Sequence, residues 1–162
     1  LGDVYKRQAQ VYGNAGQDSL KRPYLAQMDE TLQDIVSREP ETRKNWSNLR
    51  IDCEVKYVLH FMNRGKMAEA QEHIDKAKAL LEDHVDPVFW LNVQLVQLQY
   101  YSRAKDYDKS IALIDEVTPI VLNHYVSTFA TLINYKASAQ VSKGDIDGAI
   151  ETRRYLLSLI HI

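Results

Sequence analysis

Three stretches decide how this chain folds: Arg64-Gly65-Lys66-Met67-Ala68-Glu69-Ala70, Ala104-Lys105-Asp106-Tyr107-Asp108-Lys109-Ser110 and Lys143-Gly144-Asp145-Ile146-Asp147-Gly148-Ala149. Each sets Gly65, Lys105 or Gly144 as a turn just ahead of an apolar-patterned run. These anchors are 40 residues apart, from 65 to 105, and then 39, from 105 to 144. A fixed spacing of this size signals stacked repeats. Downstream, at anchor plus 2, 5, 9, 12 and 16, stand Met67, Ala70, Ile74, Ala77 and Leu81; then Tyr107, Ser110, Ile114, Val117 and Val121; then Ile146, Ala149, Arg153, Leu156 and Ile160. Steps that alternate 3 and 4 lay one stripe along a helix. All of these residues except Arg153 are apolar or small, and the stem of Arg153 is expected to lie along the apolar face.

Upstream of each anchor a second, longer helix is expected, with apolar residues at minus 12, minus 7 and minus 4. They are Cys53, Val58 and Phe61; Val93, Leu98 and Tyr101; and Leu132 and Ala137, with Gln140 in the last place. Each unit therefore reads as a helical hairpin, over residues 45–84, 86–123 and 125–157. Asp86-Pro87 opens the second hairpin with an acidic N-cap and a proline at the first helical position, and Asp106 and Asp145 are placed to cap the second helices. Pro119 is expected to bend or end its helix near Val117. Ala70 and Ala149 stand where paired helices must pass closely.

Order decays toward the N-terminus. Gly16 and the run Leu20, Tyr24, Met28, Leu32 and Ile35 read as a degenerate hairpin over residues 9–44, separated by Pro40 from the three regular units. Residues 1–8 and 158–162 are similar to translated sequencing-adapter read-through and are expected to be non-native ends.

A Gly or its stand-in, then Asp or Lys, then Tyr, Met or Ile, then a small residue three positions on resembles the turn of the tetratricopeptide repeat. The resemblance covers about residues 46 to 157. It implies an all-α solenoid of three to four stacked hairpins whose first helices line a concave surface. It departs from that family in three ways. The period is longer than the usual 34, Val58, Leu98 and Ala137 occupy the position where the first helix expects a small residue, and the closing proline is absent. The chain looks most like the repeat regions of some bacterial sensor and regulatory proteins.

Composition agrees with a helical, globular chain. Of 162 residues, 45% are hydrophobic and 26% charged, and the 6 Gly and 4 Pro leave few turn formers. Twenty basic residues against 22 acidic ones give a net charge of −2 without a like-charge run, so no nucleic-acid partner is expected. No apolar stretch is long enough to span a membrane, and no membrane contact is expected. A location on the cytoplasmic or the periplasmic side of a bacterial cell fits equally.

Catalytic motifs are missing. There is no Gly-rich phosphate loop, no H-E-x-x-H, no C-x-x-C and no G-x-S-x-G. His60, His73, His84 and His124 do not pair at helical ligand spacing, so no metal, cofactor or catalytic residue is assigned. Cys53, on an apolar stripe, reads as a buried thiol in preference to a nucleophile. Asn45-Trp46-Ser47 spells a glycosylation acceptor and is taken as chance. The aromatics Phe89, Trp90, Tyr100, Tyr101 and Tyr107 read as packing residues before they read as a stacking site.

The resemblance implies a groove for a protein or peptide segment, which could be another part of the same parent chain. Carried over residue by residue, the groove is Asp52, Val55, Leu59, Met62 and Asn63; Asn92, Leu95, Gln99, Ser102 and Arg103; and Thr131, Asn134, Ser138, Val141 and Ser142. This lining is amide-rich and nearly uncharged, so capture of a C-terminal carboxylate is not favoured. The expectation is a non-enzymatic interaction scaffold, the input or regulatory module of a larger signalling or transcriptional protein. The alternative is a helical regulator that binds nucleic acid or a small molecule directly. The apolar stripe of the third hairpin's second helix is further expected to form an open edge prone to self-association.

Overall fold

The computed structural model describes residues 18–83 and 85–160. Among these residues there are seven α-helices and no strand: α1 (Asp18–Arg38), α2 (Arg43–Asn63), α3 (Met67–Leu80), α4 (Pro87–Ala104), α5 (Tyr107–His124), α6 (Val126–Lys143) and α7 (Ile146–Ile160). Short 3-10 turns span Pro40–Thr42 and Leu81–Asp83. The all-helical expectation is met, and no described helix is long and apolar enough to cross a membrane. Residues 1–8, Gly16 and His84 lie outside the described residues, as do the side chains of Leu20, Tyr24, Asn45, His124 and Ile160.

The three anchors share one backbone solution. Gly65, Lys105 and Gly144 have φ of 71°, 58° and 85°, and among the described residues no other positive φ occurs. Each closes its helix with the same pair of bonds. The amide of Gly65 donates to Met62 O and that of Lys66 to Phe61 O; Lys105 and Asp106 donate to Ser102 O and Tyr101 O; Gly144 and Asp145 donate to Val141 O and Gln140 O, all at 2.9–3.2 Å. This is the left-handed helix terminus in which two otherwise orphaned carbonyls are satisfied. A Cβ on Gly65 or Gly144 would meet nothing within 4 Å, so the dihedral and not crowding selects glycine there.

The residue after each anchor starts the next helix. Asp106 Oδ1 accepts from the Lys109 amide at 3.3 Å, and Asp145 Oδ1 accepts from the Gly148 amide at 3.0 Å. Lys66 has no capping oxygen. Its ammonium instead meets Glu69 at 3.0 Å, while in the second turn Lys109 meets Asp106 at 2.8 Å with the charges exchanged. In the third turn the partner position is Gly148, over which the Asp145 carboxylate folds so closely that a Cβ would lie 2.2 Å from it.

The chain divides into two compact units, Leu1–Val96 and Gln97–Ile162, with the boundary inside α4. In the first unit α1 packs on α2 and α2 on α3. Leu25, Met28 and Leu32 of α1 are buried, with Cys53 and Val58 of α2 and Ala70 and Ile74 of α3. Ile51, Ala77, Leu80 and Val93 form a core cluster, bordered by Val55, Leu81, Val85 and Phe89. Polar bonds fix the register of this cluster. Ser47 Oγ donates to Asp83 Oδ2 at 2.9 Å, Asn48 Nδ2 donates to Asp86 Oδ2 at 2.8 Å, and the Asp86 amide donates to Asn48 Oδ1 at 3.0 Å. Pro87 begins α4 as expected, with Asp86 O accepting from Phe89 and Trp90.

In the second unit α5 packs on α6 and α6 on α7. Ser110, Ile114, Val117 and Val121 of α5, Leu132, Ala137 and Gln140 of α6, and Ala149 of α7 are buried, as the repeat register requires, and Phe129 of α6 is buried with them. Three expectations are corrected here. Ile146 is 51% exposed and Arg153 is exposed, so neither lies in the core: the two are seven residues apart on a stripe that runs to one side of the buried Ala149. The helix also does not end near Val117, because α5 runs through Pro119 to His124. Pro119 is exposed while Val117 and Val121 on either side are buried, so the lost backbone bond falls on the solvent face and burial holds the helix across it.

Candidate functional site

The groove positions on the three first helices meet different fates. On α2, Met62 is buried, Val55 borders the core cluster, Leu59 is half-buried, and Asp52 is paired to Lys56 at 2.6 Å with both side chains largely covered. Asn63 alone of that set is exposed. On α4, Asn92, Leu95, Gln99 and Ser102 are half-buried and Arg103 is exposed. On α6, the groove positions face outward, with Val141 49% exposed.

On α6, expected site residues are gathered around one cavity. Thr131, Asn134 and Ser138 line an open groove of about 260 Å³ together with Tyr135. Helical spacing explains this. The inward positions Phe129, Leu132, Ile133, Ala137 and Gln140 leave 131, 134, 135 and 138 on the other side. Ser142 Oγ donates to Ser138 O at 3.0 Å and extends the hydroxyl row by one turn. The groove is electrically quiet for a structural reason: Lys136 is paired to Asp115 at 2.6 Å and Lys143 to Asp108, which ties both lysines of α6 to α5. Tyr135, 36% exposed, does not emerge from the sequence because its position is not among those carried over from the repeat pattern.

The first unit holds a second polar feature that sequence spacing does not reveal. His73 of α3 stacks against both Tyr57 and Phe61 of α2, with ring centroids 4.6 and 5.2 Å away and planes nearly parallel. Its Nδ1 is 2.6 Å from Oε2 of Glu54, a buried carboxylate. Glu54, Tyr57 and Phe61 are spaced 3 and 4 apart on α2, so one helical stripe grips one ring across the hairpin. Glu54 also borders a cleft of about 350 Å³ lined by Asp29, Gln33, Arg50 and Lys76. Among the described residues no group of three or more His, Cys, Asp or Glu could hold a metal ion.

Cys53 is buried next to this region, with its Sγ 3.7 Å from Leu25 O. Desolvation pushes the thiol far above its ordinary value, and the negative charges of Asp29, Glu54 and Asp52 push it further. A thiol so placed is almost wholly protonated at neutral pH. The phenol of Tyr101 accepts from Gln97 Nε2 at 2.6 Å and its ring meets Tyr100 edge-on. No protein-family model, curated protein or solved structure matches this chain.

Proposed function

We propose that the chain is a non-enzymatic helical-repeat module of tetratricopeptide type, a scaffold that holds a segment of another protein against the exposed face of α6, within a larger signalling or regulatory assembly. The observation that carries this reading is the α6 face. Thr131, Asn134, Tyr135 and Ser138 surround an open groove, and the neighbouring lysines are neutralised by α5. An exposed aromatic beside hydroxyl and amide groups suits a partner that offers backbone hydrogen bonds and one apolar anchor. The repeated left-handed turn at Gly65, Lys105 and Gly144 supports the repeat assignment.

Panning of a displayed peptide library against the whole chain, with Thr131→Arg/Ser138→Arg as a blocked control of unchanged helix content, tests the proposal. Peptides enriched on the wild type and lost on the blocked form are expected, with binding weakly dependent on salt. Enrichment that is equal on both forms would show that the α6 groove is not the binding face.

A further inference from the structure

Helix α7 presents two faces that are not equivalent. Ala149 is buried and Thr152 and Leu156 are half-buried against the rest of the unit. A second stripe, Ile146, Ile150, Arg153 and Leu157, has steps of 4, 3 and 4 and lies to one side of the buried one. Its three aliphatic side chains are 51%, 44% and 54% exposed. A row of this spacing is the seam that a partner helix packs against.

The charges beside the seam indicate which partner fits. Asp147 and Glu151 lie in the first half of α7, while Arg153 and Arg154 lie in the second half. Among the described residues no ion pair engages any of the four. A parallel copy of this face would set acid against acid and base against base. An antiparallel copy sets each half against its opposite.

We infer that α7 pairs antiparallel with α7 of a second copy of this chain about a two-fold axis. Such an interface is self-complementary, so every contact occurs twice. With the axis near Glu151 and Thr152, Ile146 meets the partner's Leu157, and Ile150 meets the stem of the partner's Arg153. Asp147 then lies beside the partner's Arg154. The α6 groove is not part of this contact, so loss of pairing and loss of peptide capture are separate outcomes.

Sedimentation velocity of the full chain across about 2 to 200 µM tests the pairing, with helix content checked by circular dichroism. A monomer–dimer equilibrium is expected for the wild type. Asp147→Arg or Arg154→Asp alone places like charges together twice and is expected to weaken association about tenfold. Asp147→Arg/Arg154→Asp exchanges the signs and is expected to restore it. Ile150→Glu is expected to leave monomer throughout. A wild type that is monomeric at every concentration, a double exchange no tighter than the single changes, or a dimer indifferent to Ile150→Glu would each overturn the inference.

Discussion

Lys105 holds the same left-handed backbone as Gly144, φ 58° against 85°, and closes its helix with the same two amide-to-carbonyl bonds. A side chain at that dihedral costs about 1 to 2 kcal/mol, against which glycine carries an entropic penalty of about 0.5 to 1. Lys105→Gly should therefore stabilise the chain by about 0.5 to 1 kcal/mol. Urea melts that show no gain would mean that the Lys105 stem contributes packing that offsets the strain.

Ser110 occupies the buried position that Ala70 and Ala149 fill in the other two turns, and its hydroxyl oxygen has no hydrogen-bond partner among the described residues. Ser110→Ala removes a desolvated polar group and adds a better helix former. The expected effect is a stabilisation of about 1 kcal/mol, read as a higher denaturant midpoint at constant slope. A loss of stability would reveal a bond to the hydroxyl.

The Lys109 ammonium beside Asp106 holds its carboxyl below the ordinary 3.8, and the Lys109 amide adds to the effect. A depressed acid contributes stability that is complete above its ordinary value and disappears as pH falls through the depressed one. The Lys66 ammonium holds Glu69 below its ordinary 4.5 in the same way, so both contributions fade in acid, below about pH 4. Asp106→Asn should melt lower than wild type at neutral pH, and the gap should narrow toward pH 2.5. A gap independent of pH would assign the effect to cap geometry and not to charge. Asp106 in turn raises the Lys109 value above 10.5, so that contribution persists to higher pH than for a free lysine and is lost only as pH rises through the raised value.

Cys53 is expected to resist thiol reagents in the native state and to react at the rate of local or global opening. Adding urea below the unfolding midpoint should accelerate the labelling. Fast reaction without denaturant would contradict the burial of α2 against Leu25.

The turns are legible in the sequence because one dihedral demands glycine and the repeat then exposes its substitute. Lys105 is recognisable as an anchor only through the 40- and 39-residue spacing to Gly65 and Gly144. The inward stripe is legible for the same reason, down to the small residue at Ser110, except on α7, where Ile146 and Arg153 are exposed. The binding face is less so. Whether Val55 or Thr131 is open depends on what packs beside it: Val55 borders the core cluster, whereas Thr131 borders an open groove. Pro119 misleads because local backbone preference takes no account of the buried Val117 and Val121. The Glu54 and His73 pair joins helices of one hairpin, and no motif spacing encodes that.

The Asn48–Asp86 and Ser47–Asp83 bonds constrain which changes of length the chain can inherit. Adding one residue within α3 turns everything after it by about 100° and carries Asp83 and Asp86 away from their partners, while a full turn of three or four residues nearly restores the direction but displaces it by about 5 Å. The bend at Arg64, Gly65 and Lys66 lies before α3 and can absorb an extra residue as loop. Insertions and deletions compatible with folding should therefore collect in that bend, and the long spacing between repeats becomes a length that these two pins preserve from one variant of the chain to the next.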